Sequence, residues 1–312
     1  MIAVTFLGAG GPEVMSVGER PDPAPLPSEV LVRATHAGLN PADIVQRAGH
    51  YPAPQGSPAD IPGLEVSGTI IACGEAVTNW RAGDRVFGLV GGGGLSDTVA
   101  VHERHVARIP DDLTDREAAA VPEAYITAHD ATFTRAGLSL GETLLVNGAS
   151  GGVGTAAVQL GVAAGVRVLA NARSHREALT DLGAEPCLLS EARGVDVVLE
   201  LVGAANLPGS LEALAPRGRI IVVGTGAGAD AELSLRALMG RRATLMGTVL
   251  RARPMEEKAA AVQAFARSVL PHLAAGRVRP VIDRVFPISE AAAAFDHLAS
   301  PGKLGKVLLE LT

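Results

Sequence analysis

Glycines and small side chains crowd one short stretch of the sequence, residues 147–154, which reads Asn-Gly-Ala-Ser-Gly-Gly-Val-Gly. Backbone N–H groups at a helix start bind a pyrophosphate only where no side chain intervenes, so such turns are rich in glycine. Gly151 and Gly154 fill the last two positions of a G-x-G-x-x-G pattern, and Ala149 replaces its first glycine. The stretch predicts a dinucleotide site, with a tight strand-to-helix turn as the alternative. The residues expected to contact the cofactor here are Ala149, Ser150, Gly151, Gly152, Val153 and Gly154.

The elements on either side of this turn favour the dinucleotide site. An apolar strand at 143–146 precedes the turn and an alanine-rich helix follows it, which is the context that the pattern requires. Further apolar strands are predicted at 166–170, 195–200, 219–223 and 244–248, with helices between them. Apolar strands that alternate with helices form a parallel sheet covered on both faces. We therefore predict a doubly wound Rossmann domain.

The residues at the end of the second strand of that sheet indicate which coenzyme binds. An NAD site usually carries an acidic residue there, about 20 residues beyond the glycines, to accept hydrogen bonds from the ribose hydroxyls. No acid precedes Glu177 in this stretch, and Arg173, Ser174 and Arg176 offer donors to a 2′-phosphate instead. We predict NADPH as the cofactor. The alternative is that these are ordinary solvated residues at a helix start.

The first third of the chain is rich in β-branched residues. Short runs of them near 2–4, 29–34, 66–71 and 85–89 are separated by turn residues such as Pro-Asp-Pro-Ala-Pro at 21–25. A strand pattern at 305–311 suggests that the end of the chain returns to this part. The predicted fold class is α/β: residues 1–121 and 259–312 form a β-rich domain, into which a Rossmann domain of residues 122–258 is inserted.

Composition excludes several classes of function. The chain has 312 residues, a formal net charge of −6 and few aromatic residues (six Phe, two Tyr and one Trp), whereas nucleic-acid binding needs a basic face and stacking rings. Two cysteines allow neither a disulfide framework nor a four-cysteine zinc site. No apolar run reaches the roughly 18 residues of a membrane span, and no signal-peptide pattern is present. We expect a cytoplasmic enzyme that binds a small molecule and neither nucleic acid nor membrane.

A second motif lies in the β-rich part, where residues 40–52 follow the pattern N-x-x-D-x-x-x-R-x-G-x-Y-P. The chain resembles the medium-chain dehydrogenase/reductase superfamily, in its zinc-independent quinone oxidoreductase (zeta-crystallin-like) branch. The resemblance rests on this run and on the Ala-Ser-Gly-Gly-Val-Gly turn, and it covers essentially the whole chain in order. Zinc members carry a cysteine near position 40 and a histidine beside Glu65, whereas this chain has Asn40-Pro41-Ala42 and Leu64. The resemblance implies a GroES-like substrate domain and no metal.

The resemblance also implies roles for individual residues. Hydride would pass from the nicotinamide to a quinone or to the C=C of an α,β-unsaturated carbonyl, and without a metal the substrate oxygen needs hydrogen-bond donors. Asn40 and Tyr51 match residues that line the catalytic site, with Asn40 also near the cofactor. Thr127 matches the threonine beside the nicotinamide, and Gly203 and Gly224 lie where backbone approaches the cofactor ribose.

Each of these candidates has a structural alternative. In the alternative interpretation, Tyr51 only packs over a turn with Pro52. Asn40 likewise serves only as a loop residue whose side chain bonds its own backbone. Only Tyr51 and Tyr125 can supply a phenol, and Tyr51 is the predicted donor. A second glycine cluster, residues 91–94, precedes a strand rather than a helix, so we expect a flexible hairpin loop there. Lys303 and Lys306, near the end of the chain, are expected to be solvated, with contact to the cofactor as the alternative.

Two further functions remain open from the sequence. One is an enoyl-thioester or polyketide-type enoyl reductase that uses the same cofactor. The other is a non-catalytic NADPH-binding protein with a crystallin-like or sensing role. The resemblance also implies a homodimer, and the apolar strand near 244–249 suits pairing across a two-fold axis if it forms a sheet edge.

Overall fold

The computed structural model describes residues 1–311 and divides into two compact units, Met1–Ile126 with Leu250–Thr312, and Thr127–Val249. The predicted limits placed residues 122–126 and 250–258 in the second unit, and the structure assigns them to the first. Tyr125 is buried there and its hydroxyl donates to the Arg279 carbonyl at 2.9 Å, while the Arg251 guanidinium donates to the Gly91 carbonyl at 2.8 Å. These contacts fix both segments in the first unit.

The amino-terminal part of the first unit consists of short strands. They are β1 (Ile2–Phe6), β2 (Met15–Glu19), β3 (Glu29–Arg33), β4 (His36–Gly38), β5 (Glu65–Cys73), β6 (Arg85–Leu89), β7 (Thr98–His102) and β8 (Val106–Arg108). An antiparallel sheet has the order β7-β3-β5-β6-β8, and β1 pairs with β2. Valines from these strands share one buried cluster, as expected of β-branched side chains on a pleated surface. Helices α1 (Pro41–Arg47), α2 (Asp115–Ala118) and α3 (Pro122–His129) lie in the same stretch of chain.

The second unit is a six-stranded parallel sheet with helices between its strands. Its elements are β9 (Thr143–Asn147), α4 (Gly152–Ala163), β10 (Arg167–Asn171), α5 (Arg176–Asp181), β11 (Glu185–Pro186), β12 (Val195–Glu200), α6 (Leu207–Ala213), β13 (Leu214–Val222), α7 (Leu235–Arg241) and β14 (Thr244–Gly247). The strand order is β11-β10-β9-β12-β13-β14. The chain therefore winds outward from β9 in both directions, which confirms the doubly wound prediction. The last four residues of β9 are all buried, as in a sheet covered on both faces.

The end of the chain belongs to the first unit. It contains α8 (Met255–Ser268), α9 (Leu270–Ala274), β15 (Ile282–Pro287), α10 (Ala291–Ala299) and β16 (Lys306–Glu310). β16 pairs antiparallel with β4 and parallel with β15, so the last described strand completes a sheet begun by residues 36–38. Phe295 of α10 packs edge-to-face on Phe6 of β1, with ring centroids 5.9 Å apart. No helix within residues 1–311 is long and apolar enough to span a bilayer.

The glycine cluster at 91–94 is packed, and the prediction of a flexible hairpin loop is wrong. The flanking strands β6 and β7 do not pair with each other, since β6 lies between β5 and β8 and β7 pairs with β3. A Cβ on Gly91 would lie 2.2 Å from Ser57 Oγ, and one on Gly94 would lie 2.4 Å from the Glu65 carbonyl oxygen. Glycine is needed here because two segments of backbone approach each other closely.

Candidate active site

The glycine turn at 147–154 leads from the carboxyl end of β9 into α4. Gly151 is the N-cap of α4, no side chain caps the helix, and its first turn holds no acidic residue. The first N–H groups of a helix have no partner within it, and they stand at the positive end of the helix dipole. Those of Gly152 and Val153 are therefore suited to an anion, and the turn fits the pyrophosphate of a dinucleotide.

The glycines of this turn serve two purposes. A Cβ on Gly154 would lie 2.3 Å from the Gly148 carbonyl oxygen, so glycine is required for the helix to pack against the turn. A Cβ on Gly151 would approach nothing closer than 3.6 Å, so its side faces open space where a ligand can come close. Ala149 is fully buried beneath the turn, whereas Ser150 is partly exposed on it.

The predicted 2′-phosphate donors lie directly after β10. Arg173 is exposed, and no hydrogen bond of its side chain occurs within residues 1–311. Ser174 is partly buried, and His175 precedes α5 with a φ of 63°. Arg176 is exposed, but its Nη2 donates to the Pro186 carbonyl at 2.9 Å. Arg173 is therefore the freer of the two guanidinium groups.

A row of polar side chains crosses the carboxyl edge of the parallel sheet, and it was not predicted. Asn171 Nδ2 donates to Asn147 Oδ1 at 2.9 Å, and Asn147 Nδ2 donates to Glu200 Oε2 at 2.6 Å. These are the last residues of β10, β9 and β12, which neighbour one another in the sheet. Ser210 of α6 joins the row, with its Oγ 3.2 Å from Glu200 Oε2.

The buried Glu200 also shapes the loop that contains Gly203. Its Oε1 accepts from the backbone N–H groups of Val202 and Gly203 at 2.8 and 2.9 Å. Gly203 has a φ of 116°, which favours glycine. A Cβ on Gly224, after β13, would lie 2.3 Å from the Leu201 carbonyl oxygen. Both predicted glycines thus bring backbone segments together at the sheet edge that holds the glycine turn.

Thr127 carries an unpartnered buried atom. Its side chain is 7% exposed, and Thr127 Oγ1 has no hydrogen-bond partner within residues 1–311. A buried hydroxyl without a partner costs about 1–3 kcal/mol, so we expect a water molecule or a ligand to satisfy it. Thr127 is therefore suited to the predicted contact with the nicotinamide.

In the first unit, the Asn40 side chain contacts a buried ion pair, formed by Lys306 and Glu65. Lys306 Nζ donates to Glu65 Oε1 at 2.6 Å and to Asn40 Oδ1 at 2.7 Å, and Asn40 Nδ2 donates to Glu65 Oε1 at 2.9 Å. The Lys306 and Glu65 side chains are only 5% and 1% exposed, so the prediction of a solvated Lys306 is wrong. Both ends of the Asn40 amide therefore already have partners within the first unit.

Asp43 holds the loop around Asn40 in place. Asp43 Oδ2 accepts from the Asn40 backbone N–H at 2.8 Å, and Oδ1 accepts from the Gly63 N–H at 3.2 Å. Burial raises the pKa of Asp43 to about 6, against the opposing effect of its hydrogen bond from Asn40. We call Asn40, Asp43, Glu65 and Lys306 the buried polar cluster.

Tyr51 is held by its backbone and ring, which leaves its hydroxyl available. Arg251 Nη1 donates to the Tyr51 carbonyl at 3.0 Å, and the guanidinium lies 5.0 Å from the Tyr51 ring centroid. Arg251 Nη2 also donates to Gln46 Oε1 at 2.6 Å. The Tyr51 hydroxyl has no hydrogen-bond partner within residues 1–311, and burial raises the Tyr51 pKa, so the phenol stays protonated and can donate. The Tyr125 hydroxyl, by contrast, is already bound to the Arg279 carbonyl.

Glu123, at the start of α3, lies beside the buried polar cluster. Its backbone N–H donates to Glu65 Oε2 at 2.8 Å. Burial, and secondly the charge of Glu65, raise the pKa of Glu123 to about 7. Lys258 of α8 is buried, and its Nζ donates to the Arg251 carbonyl at 2.9 Å.

Four of these charged residues were not predicted as site residues from the sequence: Glu65, Glu123, Arg251 and Lys258. A signal existed for Glu65, since it opens a strand whose first four residues are all buried, and an acid there requires a partner. Its partner Lys306 is 241 positions away in the chain, and no local pattern connects them. Within residues 1–311 no group of three or more His, Cys, Asp or Glu residues is placed to hold a metal ion.

Two protein-family models match the chain, "Alcohol dehydrogenase GroES-like domain" over residues 26–111 and "Zinc-binding dehydrogenase" over residues 176–309. Over its whole length the chain is 32% identical to the quinone oxidoreductase of Lama guanicoe and 30% identical to that of Homo sapiens, covering 98% of each.

Solved structures show the same relationship across the full chain. An alcohol dehydrogenase superfamily protein from Novosphingobium aromaticivorans is 32% identical, with a TM-score of 0.88 and all of both chains covered. CurK enoyl reductase is 26% identical, with a TM-score of 0.87, and the quinone oxidoreductase from Coxiella burnetii is 25% identical, with a TM-score of 0.83; 99% of each is covered.

The GroES-like unit and the Rossmann unit with its glycine turn define an oxidoreductase of the kind that uses a nicotinamide coenzyme. The chain belongs to the medium-chain dehydrogenase/reductase superfamily, in its quinone oxidoreductase branch. The resemblance inferred from the sequence is thus confirmed.

Proposed function

We propose that this protein is a metal-free, NADPH-dependent cytoplasmic reductase whose substrate is a quinone or an α,β-unsaturated carbonyl. The observation that carries the proposal is the Tyr51 hydroxyl, which is protonated and unpartnered within residues 1–311 while its ring and backbone are fixed by Arg251. A donor held in place before the reaction stabilises negative charge on a substrate oxygen without reorganisation. Asn40 and Leu64 stand where zinc members of the superfamily carry the ligands cysteine and histidine.

Each unit supplies a separate part of the proposed reaction. The nicotinamide, when bound, supplies a hydride. The open turn at Gly151 would hold the pyrophosphate, Thr127 Oγ1 would bind near the nicotinamide, and the loops of Gly203 and Gly224 would approach its ribose. In the first unit, Tyr51 would donate to the substrate oxygen, and Asn40 would position the loop through the buried polar cluster.

The preference for NADPH rests on the loop after β10. Arg173, Ser174 and Arg176 stand where an NAD site usually has an acid, and a hydrogen bond to a charged group contributes about 1.5–3 kcal/mol. We expect Arg173→Ala to reduce the ratio of kcat/KM for NADPH over NADH by about 10- to 100-fold, and Arg173→Ala/Arg176→Ala to abolish the preference. Arg193→Ala, which removes an exposed arginine elsewhere in this unit, is the matched control. Equal kcat/KM for the two coenzymes in the unaltered protein contradicts the assignment.

A second candidate function is reduction of an enoyl thioester. Its support is the likeness to CurK enoyl reductase, whose chain matches this one over nearly its full length. The third is NADPH binding without turnover. NADPH oxidation measured with a panel of quinones, enones and enoyl thioesters separates the three candidate functions. The substrate class with the highest kcat/KM decides between the two reductase functions. Tight NADPH binding without turnover on any of them favours the binding role.

We also propose that the protein forms a homodimer through β14. This strand is the last in the sheet order, so its outer edge has no strand partner within residues 1–311. Exposed apolar side chains occur on and beside it at Leu245 and Val249, and on the preceding α7 at Met239. An apolar edge of this kind favours pairing with a second copy.

A further inference from the structure

The segment that carries Tyr51 has no regular secondary structure of its own. α1 ends at Arg47 and β5 begins at Glu65, and the described residues between them, 48–64, contain no helix or strand. We call residues 48–64 the Tyr51 segment. Helix and sheet pairing do not fix the Tyr51 ring, so contacts with other segments must set its position.

Arg251 supplies such contacts with all three of its side-chain nitrogens. Nε donates to the Gly91 carbonyl at 2.8 Å, Nη1 to the Tyr51 carbonyl at 3.0 Å and Nη2 to Gln46 Oε1 at 2.6 Å. Arg251 is only 5% exposed, so little water competes for these bonds. The planar guanidinium thus joins the Tyr51 segment to α1 and to the glycine cluster at 91–94.

The same guanidinium lies against the ring of Tyr51. Its Cζ is 5.0 Å from the ring centroid, within the range of a cation–π contact. Arg251 therefore holds Tyr51 by its carbonyl and by its ring, and the hydroxyl at the far end of the ring stays available. A shift of the guanidinium would move the ring and the hydroxyl with it. Misplacing a reacting or donating group by about 1 Å can cost about 100-fold in rate.

Arg251 is itself attached to well-packed parts of the first unit. Lys258 Nζ donates to the Arg251 carbonyl at 2.9 Å, and the Gln46 side chain that accepts from Nη2 is buried. A Cβ on Gly91 would lie 2.2 Å from Ser57 Oγ, so the turn that accepts from Nε packs directly on the Tyr51 segment. The guanidinium therefore has a fixed position from which to hold the ring.

The hydrogen-bond partners of Arg251 carry no charge. Its acceptors are two backbone carbonyls and one amide oxygen, and it forms no ion pair within residues 1–311. Burial of a charge without an opposite charge costs free energy, which points to a role beyond stability. Each side-chain nitrogen already donates to the protein. This suits a group that holds another in place better than one that binds substrate.

We propose that Arg251 is a positioning residue for Tyr51, a role that rests on the proposed function. It holds the phenol where negative charge develops on the substrate oxygen, so that the hydroxyl donates without reorganisation. The guanidinium keeps its protons throughout and acts on turnover only through Tyr51. Gln46 and the Gly91 carbonyl provide the other two points that fix its plane.

A double-mutant cycle with Tyr51 distinguishes positioning from a purely structural role. Arg251→Lys keeps the positive charge but loses the planar fork that reaches three acceptors. We expect kcat for an enone to fall about 10- to 100-fold, because the donor is misplaced. In the Tyr51→Phe background, which has no hydroxyl to place, Arg251→Lys should change kcat by less than about twofold. Arg267→Lys, at an exposed arginine on α8, is the control and should leave kcat unchanged in both backgrounds.

The Gln46→Leu substitution tests the same contacts with the arginine in place. Leucine is close to glutamine in size and removes the acceptor of Nη2, so the guanidinium keeps only its bonds to Gly91 and Tyr51. We expect kcat to fall about three- to tenfold, and again only where the Tyr51 hydroxyl is present. Urea unfolding measures the stability of each variant, and calorimetric titration should give an unchanged Kd for NADPH.

The outcomes separate the positioning role from the proposed function. Equal losses of kcat from Arg251→Lys with and without the Tyr51 hydroxyl overturn the positioning role alone, since the arginine then only supports the fold. An unchanged kcat in Arg251→Lys overturns it as well. The proposed function fails on other results, either no NADPH oxidation by the unaltered protein with any enone or quinone, or an unchanged kcat in Tyr51→Phe. Both of these remove the donor, and the positioning role with it.

Discussion

At the scale of single residues, the two tyrosines show how environment decides which phenol is available. Tyr125 is 1% exposed and its hydroxyl is bound to the Arg279 carbonyl, whereas Tyr51 is partly exposed and its hydroxyl has no partner within residues 1–311. Sequence reasoning could limit the phenol donor to these two residues. Only the hydrogen bonds of the folded protein show that the Tyr51 hydroxyl, and not that of Tyr125, is available.

A pair of Tyr→Phe substitutions separates their roles. We expect Tyr51→Phe to lower kcat for enones and quinones about 100-fold, because one donor to the developing oxyanion is lost, with little change in stability. Tyr125→Phe should leave kcat unchanged and lower the free energy of unfolding by about 1 kcal/mol, because the hydrogen bond to the Arg279 carbonyl is lost. Steady-state kinetics and urea unfolding measure the two effects. Unchanged turnover in Tyr51→Phe removes Tyr51 from the mechanism.

At the scale of elements, the ends of three neighbouring parallel strands are linked by the Asn171–Asn147–Glu200 row. Glu200 couples this row to the loop of Gly203, and the Asn171 carbonyl accepts from the N–H groups of Gly148 and Ala149 at 3.0 and 3.2 Å. The row therefore fixes both the glycine turn and the loop after β12. We infer that it positions backbone for the coenzyme and does not itself touch it.

The Glu200→Gln substitution tests this positioning. The glutamine amide would replace one acceptor oxygen with a donor, so either Asn147 or the N–H groups of Val202 and Gly203 would lose a bond. We expect the free energy of unfolding to fall by about 1–3 kcal/mol and the Kd for NADPH to rise about tenfold. Glu212→Gln, at an exposed position on α6, is the control. Unfolding and calorimetric titration measure the effects, and a Kd equal to that of the unaltered protein contradicts the inference.

Local patterns predicted most of the fold, and they failed where distant segments meet. The strand-to-helix alternation and the glycine turn follow from periodicity within short windows, and the structure has them in the second unit. The glycines at 91–94 led to a wrong expectation because their neighbours, Ser57 and Glu65, come from other parts of the chain. Lys306 was missed for the same reason. Burial of a charged residue depends on a partner that sequence spacing does not reveal.

At the scale of the whole molecule, the proposed dimer depends on the edge of β14. Leu245→Asp places a charge on this apolar edge, and we expect it to convert the dimer to a monomer at micromolar concentration. Leu140→Asp changes a leucine that is 80% exposed elsewhere in the same unit and should leave the dimer intact. Light scattering coupled to size exclusion measures the mass. A monomeric unaltered protein contradicts the proposal.

The proposed function requires metal-free transfer of hydride from NADPH to carbon, and isotope transfer measures this step. Protein treated with a metal chelator is supplied with an enone and NADPH that carries deuterium at the transferring carbon of the nicotinamide, and the product is examined by NMR. We predict one deuterium at the β-carbon and a proton from water at the α-carbon, at the same rate as before chelation. Product without deuterium contradicts transfer of hydride from NADPH. Turnover that appears only after zinc is added contradicts a metal-free reaction.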